Sequence, residues 1–121
     1  MVLNIDLFPT LLDLAGVRAP GAVDGESMAP ILKGKKAPGR SSFMYELFKD
    51  FPFGGRVPPH RAVRTERYKY IEWEACRANE LYDLREDPRE RANIIGTPRG
   101  KDIAPRLKKE LNRLRARYAA P

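Results

Sequence analysis

The chain is 121 residues long, 42% apolar and 32% charged, with a net charge of +7. That is one domain's worth of chain, its apolar share excludes a disordered segment, and no run approaches the roughly 18 apolar residues of a membrane-spanning helix. A single cysteine, Cys76, excludes an internal disulfide, and the start, MVLNIDLFPTLLDLAG, has no basic region and an apolar run broken by Asp6, Pro9 and Asp13, so no signal peptide is expected and the compartment stays open.

Asn4 to Val17 reads as a short helix. Asp6 is placed as its N-cap, accepting from backbone N–H groups near Thr10, and Pro9 falls in the first turn, where a missing N–H costs nothing. Phe8, Leu11, Leu12 and Ala15 follow the i, i+3, i+4, i+7 pattern of one helix face. Leu7 and Leu14 occupy a second side, so the helix is expected to be buried between two layers. Gly16 sits at the C′ position, where a positive φ is easy. Arg18 to Glu26 is a loop with an Asp24-Gly25 turn signal. Ser27 is positioned to cap a helix over 28–33 that ends at Gly34, and a basic linker leads on to residue 41.

Ser42 to Phe48 is a strand, with Phe43, Tyr45 and Leu47 on one face and Met44 and Glu46 on the other. A Phe-, Gly- and Pro-rich loop covers 49–59. Strands are expected at 62–66, 68–73 and 80–84, with a hairpin loop at 74–79. In Asp87-Pro88-Arg89-Glu90 the order of Asp, Pro and Glu predicts a capped helical turn running to about Ile94. The last helix is predicted over 102–118, with Ile103, Leu107, Leu111, Leu114 and Tyr118 across the sheet and an Arg106–Glu110 pair on its surface. The fold class is therefore α+β: a small antiparallel sheet of three to four strands, a long C-terminal helix packed across it, and N-terminal helices.

The charge excess is local. Residues 1–60 hold seven Lys/Arg and six Asp/Glu, residues 61–96 eight of each, and residues 97–121 eight Lys/Arg and two acids. Such a helix attracts polyanions, or is simply a solvated face; no aromatic residues are interleaved with the charges as stacking on nucleic acid would want.

Three blocks resemble the C-terminal portion of a type I sulfatase of the alkaline phosphatase superfamily: NIDLFPTLLDLAGVRAPGAVDGESMAPILKG, AVRTERYKYI and ELYDLREDPRERANI. They stand in family order and span most of residues 4–95, and their style is closest to the glycan-acting sulfatases. The resemblance implies that residues 1–40 are a helical remnant of an α/β sulfatase domain and that 41–121 form the sulfatase C-terminal subdomain. It also implies a parent that hydrolyses sulfate esters with a formylglycine and a bound Ca²⁺. The C/S-x-P-S-R motif is absent: Cys76 is followed by Arg77-Ala78-Asn79. No catalytic residue and no metal ligand is carried over, so the chain is expected to bind no cofactor itself.

The expected partners are an upstream catalytic domain and, through it, a sulfated glycan or aryl sulfate; a membrane is not among them. If the chain lines the substrate cleft, Arg56, His60 and Arg61, at the end of the loop over 51–61, are the residues to meet sulfate or uronate groups, because guanidinium suits multi-oxygen anions. Two alternatives stand beside this reading: a basic module binding a sulfated glycan or nucleic acid, and a structural piece that oligomerises through the helix over 6–15.

Overall fold

The computed structural model describes residues 1–36, 39–48, 57–74 and 78–118. They fall in two compact units, Met1–Ser41 and Ser42–Pro121.

In the first unit a 3-10 turn, Asn4–Asp6, runs into helix α1, Leu7–Leu14, and a loop leads to the short α2, Ala29–Leu32. Both helices stop in the same way. Gly16 has φ +70 and Gly34 φ +73. Each is flanked by the bond pair of a Schellman ending: Val17 N–H to Leu12 O at 2.9 Å with Gly16 N–H to Asp13 O at 3.2 Å, and Lys35 N–H to Pro30 O with Gly34 N–H to Ile31 O, both at 2.9 Å.

Asp6 does not cap α1 as predicted. It turns inward, 2% exposed, and its carboxylate accepts from Leu3 N and Glu26 N, each at 2.8 Å, and from Arg40 Nη1 and Nη2 at 2.8 and 2.9 Å. The Thr10 hydroxyl, not a backbone N–H beside it, donates to Asp6, and to its carbonyl rather than its carboxylate, at 2.5 Å, while accepting from Met28 N at 2.9 Å. Two short helices cannot bury much apolar surface, so a polar knot holds this unit together. Gly25 presses on it so closely that a Cβ there would stand 2.1 Å from the Ile5 carbonyl oxygen. The apolar residues of α1 point outward: Leu7, Phe8, Leu11 and Leu14 are 48–65% exposed.

The second unit is a four-stranded antiparallel meander in the order β1 Ser42–Leu47, β2 His60–Thr65, β3 Tyr68–Trp73, β4 Glu80–Asp83, followed by helix α3, Pro98–Tyr118. One register row crosses the whole sheet: Met44, Val63, Tyr70 and Leu81 are successive partners. This row forms the floor on which Leu107, Leu111 and Leu114 of α3 pack; Val63, Leu81 and Leu111 have no exposed surface. Truncating one such leucine to alanine costs about 2–5 kcal/mol. Rows on either side of the floor flank the helix. Ser42, Thr65, Tyr68 and Asp83 lie towards one end of the strands, and Glu46, Arg61 and Glu72 towards the other.

Most element ends fall within a few residues of expectation, and the larger departures have visible causes. β2 begins at His60, two residues early, because Leu47 and Trp73 pair with it on either side. α3 begins four residues early, at Pro98: Thr97 Oγ1 accepts from Gly100 N at 3.0 Å, a Thr cap with Pro at N1. The helical turn predicted after Asp87 is absent. Asp87 Oδ2 instead accepts from Arg91 N at 2.6 Å and Ala92 N at 2.8 Å, which folds the segment into turns with Glu90 at φ +54. The Arg106–Glu110 pair gives way to Arg113 and Ser42, both of which donate to the Glu110 carboxylate.

Candidate functional site

Of the three residues expected to meet substrate, Arg56 lies outside the described residues. His60 and Arg61 are strand residues rather than loop residues, and neighbours on a strand point to opposite faces. Arg61 lies on the α3 side of the sheet. Its Nε donates to Glu46 at 2.7 Å, and its Nη2 stands 3.1 Å from Glu74. His60 lies on the other face, its ring edge-on to Tyr45 at 5.8 Å and tilted against Trp73 at 4.6 Å, with Nδ1 3.0 Å from the Pro58 carbonyl. The two side chains do not converge on one ligand.

The densest polar cluster is instead the stretch Glu80 to Asn93, and its geometry is that of a scaffold. Asp83 is 3% exposed at the end of β4. It receives Arg67 Nε and Nη2 at 3.0–3.2 Å, Arg99 Nη2, and the Arg85 N–H at 3.2 Å. Burial pushes its carboxyl pKa up; the Arg67 hydrogen bonds, the Arg85 N–H and the charges of Arg67 and Arg99 together outweigh this and hold it below its ordinary value. Glu86 completes the set, meeting Arg67 at 3.2 Å and Arg99 at 2.8 Å, so this knot ties the β2–β3 turn, the end of β4 and the first turn of α3 together. Asn93 closes the open edge of β4: its Oδ1 accepts from Leu81 N and Ile95 N, both at 3.0 Å, while Ile94 N–H donates to Leu81 O at 2.9 Å. An exposed sheet edge invites foreign strands, and this return covers it. Lys69 Nζ reaches Glu90 at 2.5 Å and braces the left-handed residue. Asp83, Asp87, Glu90 and Asn93 are thus all engaged in contacts that hold the fold.

Two open grooves run along one flank of α3. The first, about 380 Å³, lies between Lys101 and Lys108 on the helix and Tyr70 and Asn79 on the sheet. The second, about 400 Å³, lies between Arg115 and Tyr118 on the helix and Glu46 and Arg61 on the sheet. In the sequence these cations register only as a net charge, although Lys101, Lys108 and Arg115 recur every seven residues, the spacing that keeps side chains in line on a helix. Among the described residues no group of three or more His, Cys, Asp or Glu side chains is placed to hold a metal ion, and no helix is long and apolar enough to cross a membrane. Cys76 lies outside the described residues.

The family described as N-sulphoglucosamine sulphohydrolase, C-terminal, matches residues 1–117. A Δ4,5-hexuronate-2-O-sulfatase of Bacteroides thetaiotaomicron is 38% identical over 97 residues, which are 79% of this chain and 20% of that protein. An N-acetylglucosamine-6-O-sulfatase of the same organism is 35% identical over 103 residues, covering 78% of this chain and 17% of its own length. The solved structure of a protein in complex with its substrate D-glucosamine-2-N,6-O-disulfate superposes with a TM-score of 0.81 at 31% identity, covering 93% of this chain and 24% of that one. The chain therefore spans about a fifth of the length of the curated relatives it matches.

Proposed function

Because the chain belongs to the family of sulphohydrolase C-terminal domains matched over residues 1–117, in the alkaline phosphatase superfamily, we propose that it completes a sulfatase whose catalytic residues lie in another part of the protein. The observation that carries this is the disproportion of coverage: 93% of this chain, but only 24% of the solved relative, is accounted for by the match. In this reading the whole protein hydrolyses a sulfate ester of a glycan, the class of reaction for which the two Bacteroides relatives are named. Its divalent cation, Ca²⁺, would be held by other parts of that protein, since no cluster among the described residues fits one.

The exposed apolar side of α1 supports the same reading. Leu7, Phe8, Leu11 and Leu14 together present a surface that an isolated domain would not leave in water. Burial of that surface against the catalytic domain is the contribution of the first unit. The second unit would supply a rigid sheet-and-helix body, from which Arg61 and His60 face opposite sides, and Arg56, outside the described residues, remains the candidate substrate contact of the three. The test is direct: the purified 121-residue chain, given an aryl sulfate and Ca²⁺, is expected to show no turnover above buffer. Turnover that tracks the protein through gel filtration would overthrow the reading.

A further inference from the structure

Helix α3 carries more positive charge than its packing requires. Eight Lys/Arg and two acids lie between Pro98 and Tyr118. Arg99 is engaged by Asp83 and Glu86, Lys108 by Glu72 at 3.2 Å, and Arg113 by Glu110. Among the described residues, Lys101 and Arg115 have no carboxylate at ion-pair distance. Lys101, Lys108 and Arg115 recur every seven residues. Two turns of helix advance about 10 Å, so the three stay on one flank and span about 21 Å.

That flank is the one that carries the two grooves, and the sheet supplies their opposite wall. The first groove has the Tyr70 hydroxyl and the Asn79 amide beside Lys101 and Lys108; the second has Arg61 and Glu46 facing Arg115. We propose that this flank is a binding track for an extended sulfated polysaccharide, with Lys101 and Arg115 meeting sulfate groups and the intervening amide, hydroxyl and carboxylate groups meeting sugar hydroxyls. The choice of a sulfated glycan rests on the sulfatase reading above; the track itself rests on the geometry.

The chemistry favours a glycan over a nucleic acid on two counts. Glu46 and Glu72 alternate with the cations along the track, a pattern that repels a continuous phosphate backbone but accepts hydrogen bonds from hydroxyls between spaced anions. Tyr70 is 3% exposed, so its ring face is not offered to the first groove for a base to stack upon. Arg115 presents a planar fork suited to a multi-oxygen anion.

The experiment uses the 121-residue chain at about 0.15 M salt, where exposed charges are screened beyond about 8 Å. A heparin octasaccharide, the same octasaccharide after desulfation, and a DNA duplex of matched charge are titrated against three proteins. These are the unmodified chain, the double variant Lys101→Gln/Arg115→Gln, and the double variant Lys35→Gln/Lys36→Gln, which loses the same net charge from exposed residues of the first unit. Since an exposed ion pair is worth a factor of a few, the flank variant should bind heparin about tenfold more weakly. The Lys35/Lys36 variant should stay within twofold, and the desulfated sugar and the DNA should each bind at least tenfold more weakly than heparin. Thermal unfolding of both variants confirms that they fold. Equal loss in the two variants, equal affinity for DNA, or no heparin binding overturns the proposal. None of these outcomes bears on whether the chain belongs to an active sulfatase, which the turnover experiment decides separately.

Discussion

Replacing Asp83 with asparagine keeps the shape of the side chain and removes its charge. Asp83 is 3% exposed, while its partners Arg67 and Arg99 are 41% and 42% exposed. Removing one partner of a fully buried pair costs about 3–5 kcal/mol. Here the two guanidinium groups keep their water on one side and retain Glu86, so roughly half of that is expected, about 2 kcal/mol. For a unit of this size that corresponds to a fall in Tm of about 8–16 °C. Urea unfolding followed by circular dichroism should show a lower midpoint with an unchanged slope, since the loss is of stability and not of compactness. Glu86→Gln, at a side chain 60% exposed, should cost under about 0.5 kcal/mol. If Asp83→Asn costs no more than Glu86→Gln, the knot is a surface ion pair and the scaffold reading of the motif fails.

Two further outcomes follow from the same contacts. Gly100→Ala places a Cβ 1.9 Å from the Ile94 carbonyl oxygen, a clash with backbone that cannot rotate away; the α3 start should shift and the unit lose more than about 2 kcal/mol, measured by thermal unfolding, although alanine is the better helix former. Acid should unfold the chain progressively. Arg113 and Ser42 hold the Glu110 carboxyl down to about 2 from an ordinary 4.5, and Arg40 holds Asp6 well below its ordinary 3.8. Both folded-state pKa values are depressed, so their stabilisation is complete above about pH 4.5 and is lost as pH falls towards 2. A pH titration of the unfolding midpoint that stays flat from 5 to 2 would contradict these assignments.

The sheet and the long helix were legible because their signals are local and periodic. Alternation in 42–48 and 68–73 and the Leu107, Leu111, Leu114 stripe each record one face of one element, and all three meet on the floor of Met44, Val63, Tyr70 and Leu81. Gly16 and Gly34 were equally plain, since a positive φ after a helix is a backbone requirement. What sequence reading missed was long-range. Asp6 looked like a helix cap because its neighbours suit one, but Arg40, 34 residues away, and the Glu26 N–H claim its carboxylate. Asp87-Pro88-Arg89-Glu90 has the residues of a helix start, yet Asn93 and Ile94 must return to the edge of β4, and that pairing overrides local propensity. His60 and Arg61 read as the end of the substrate-facing loop that also holds Arg56; the extension of β2 makes them strand residues and puts them on opposite faces of the sheet.

The central claim is that this domain completes a sulfatase through the apolar side of α1. It is tested most directly by deleting the matching segment from the Bacteroides N-acetylglucosamine-6-O-sulfatase, of which it is 17%, and grafting residues 4–117 of this chain in its place. Hydrolysis of the sulfated sugar should vanish on deletion and return with the graft, and Phe8→Glu/Leu11→Glu in the graft should abolish it again while leaving the second unit's fold intact. A deleted enzyme that keeps its turnover, or a graft whose activity ignores the two glutamates, would contradict the account.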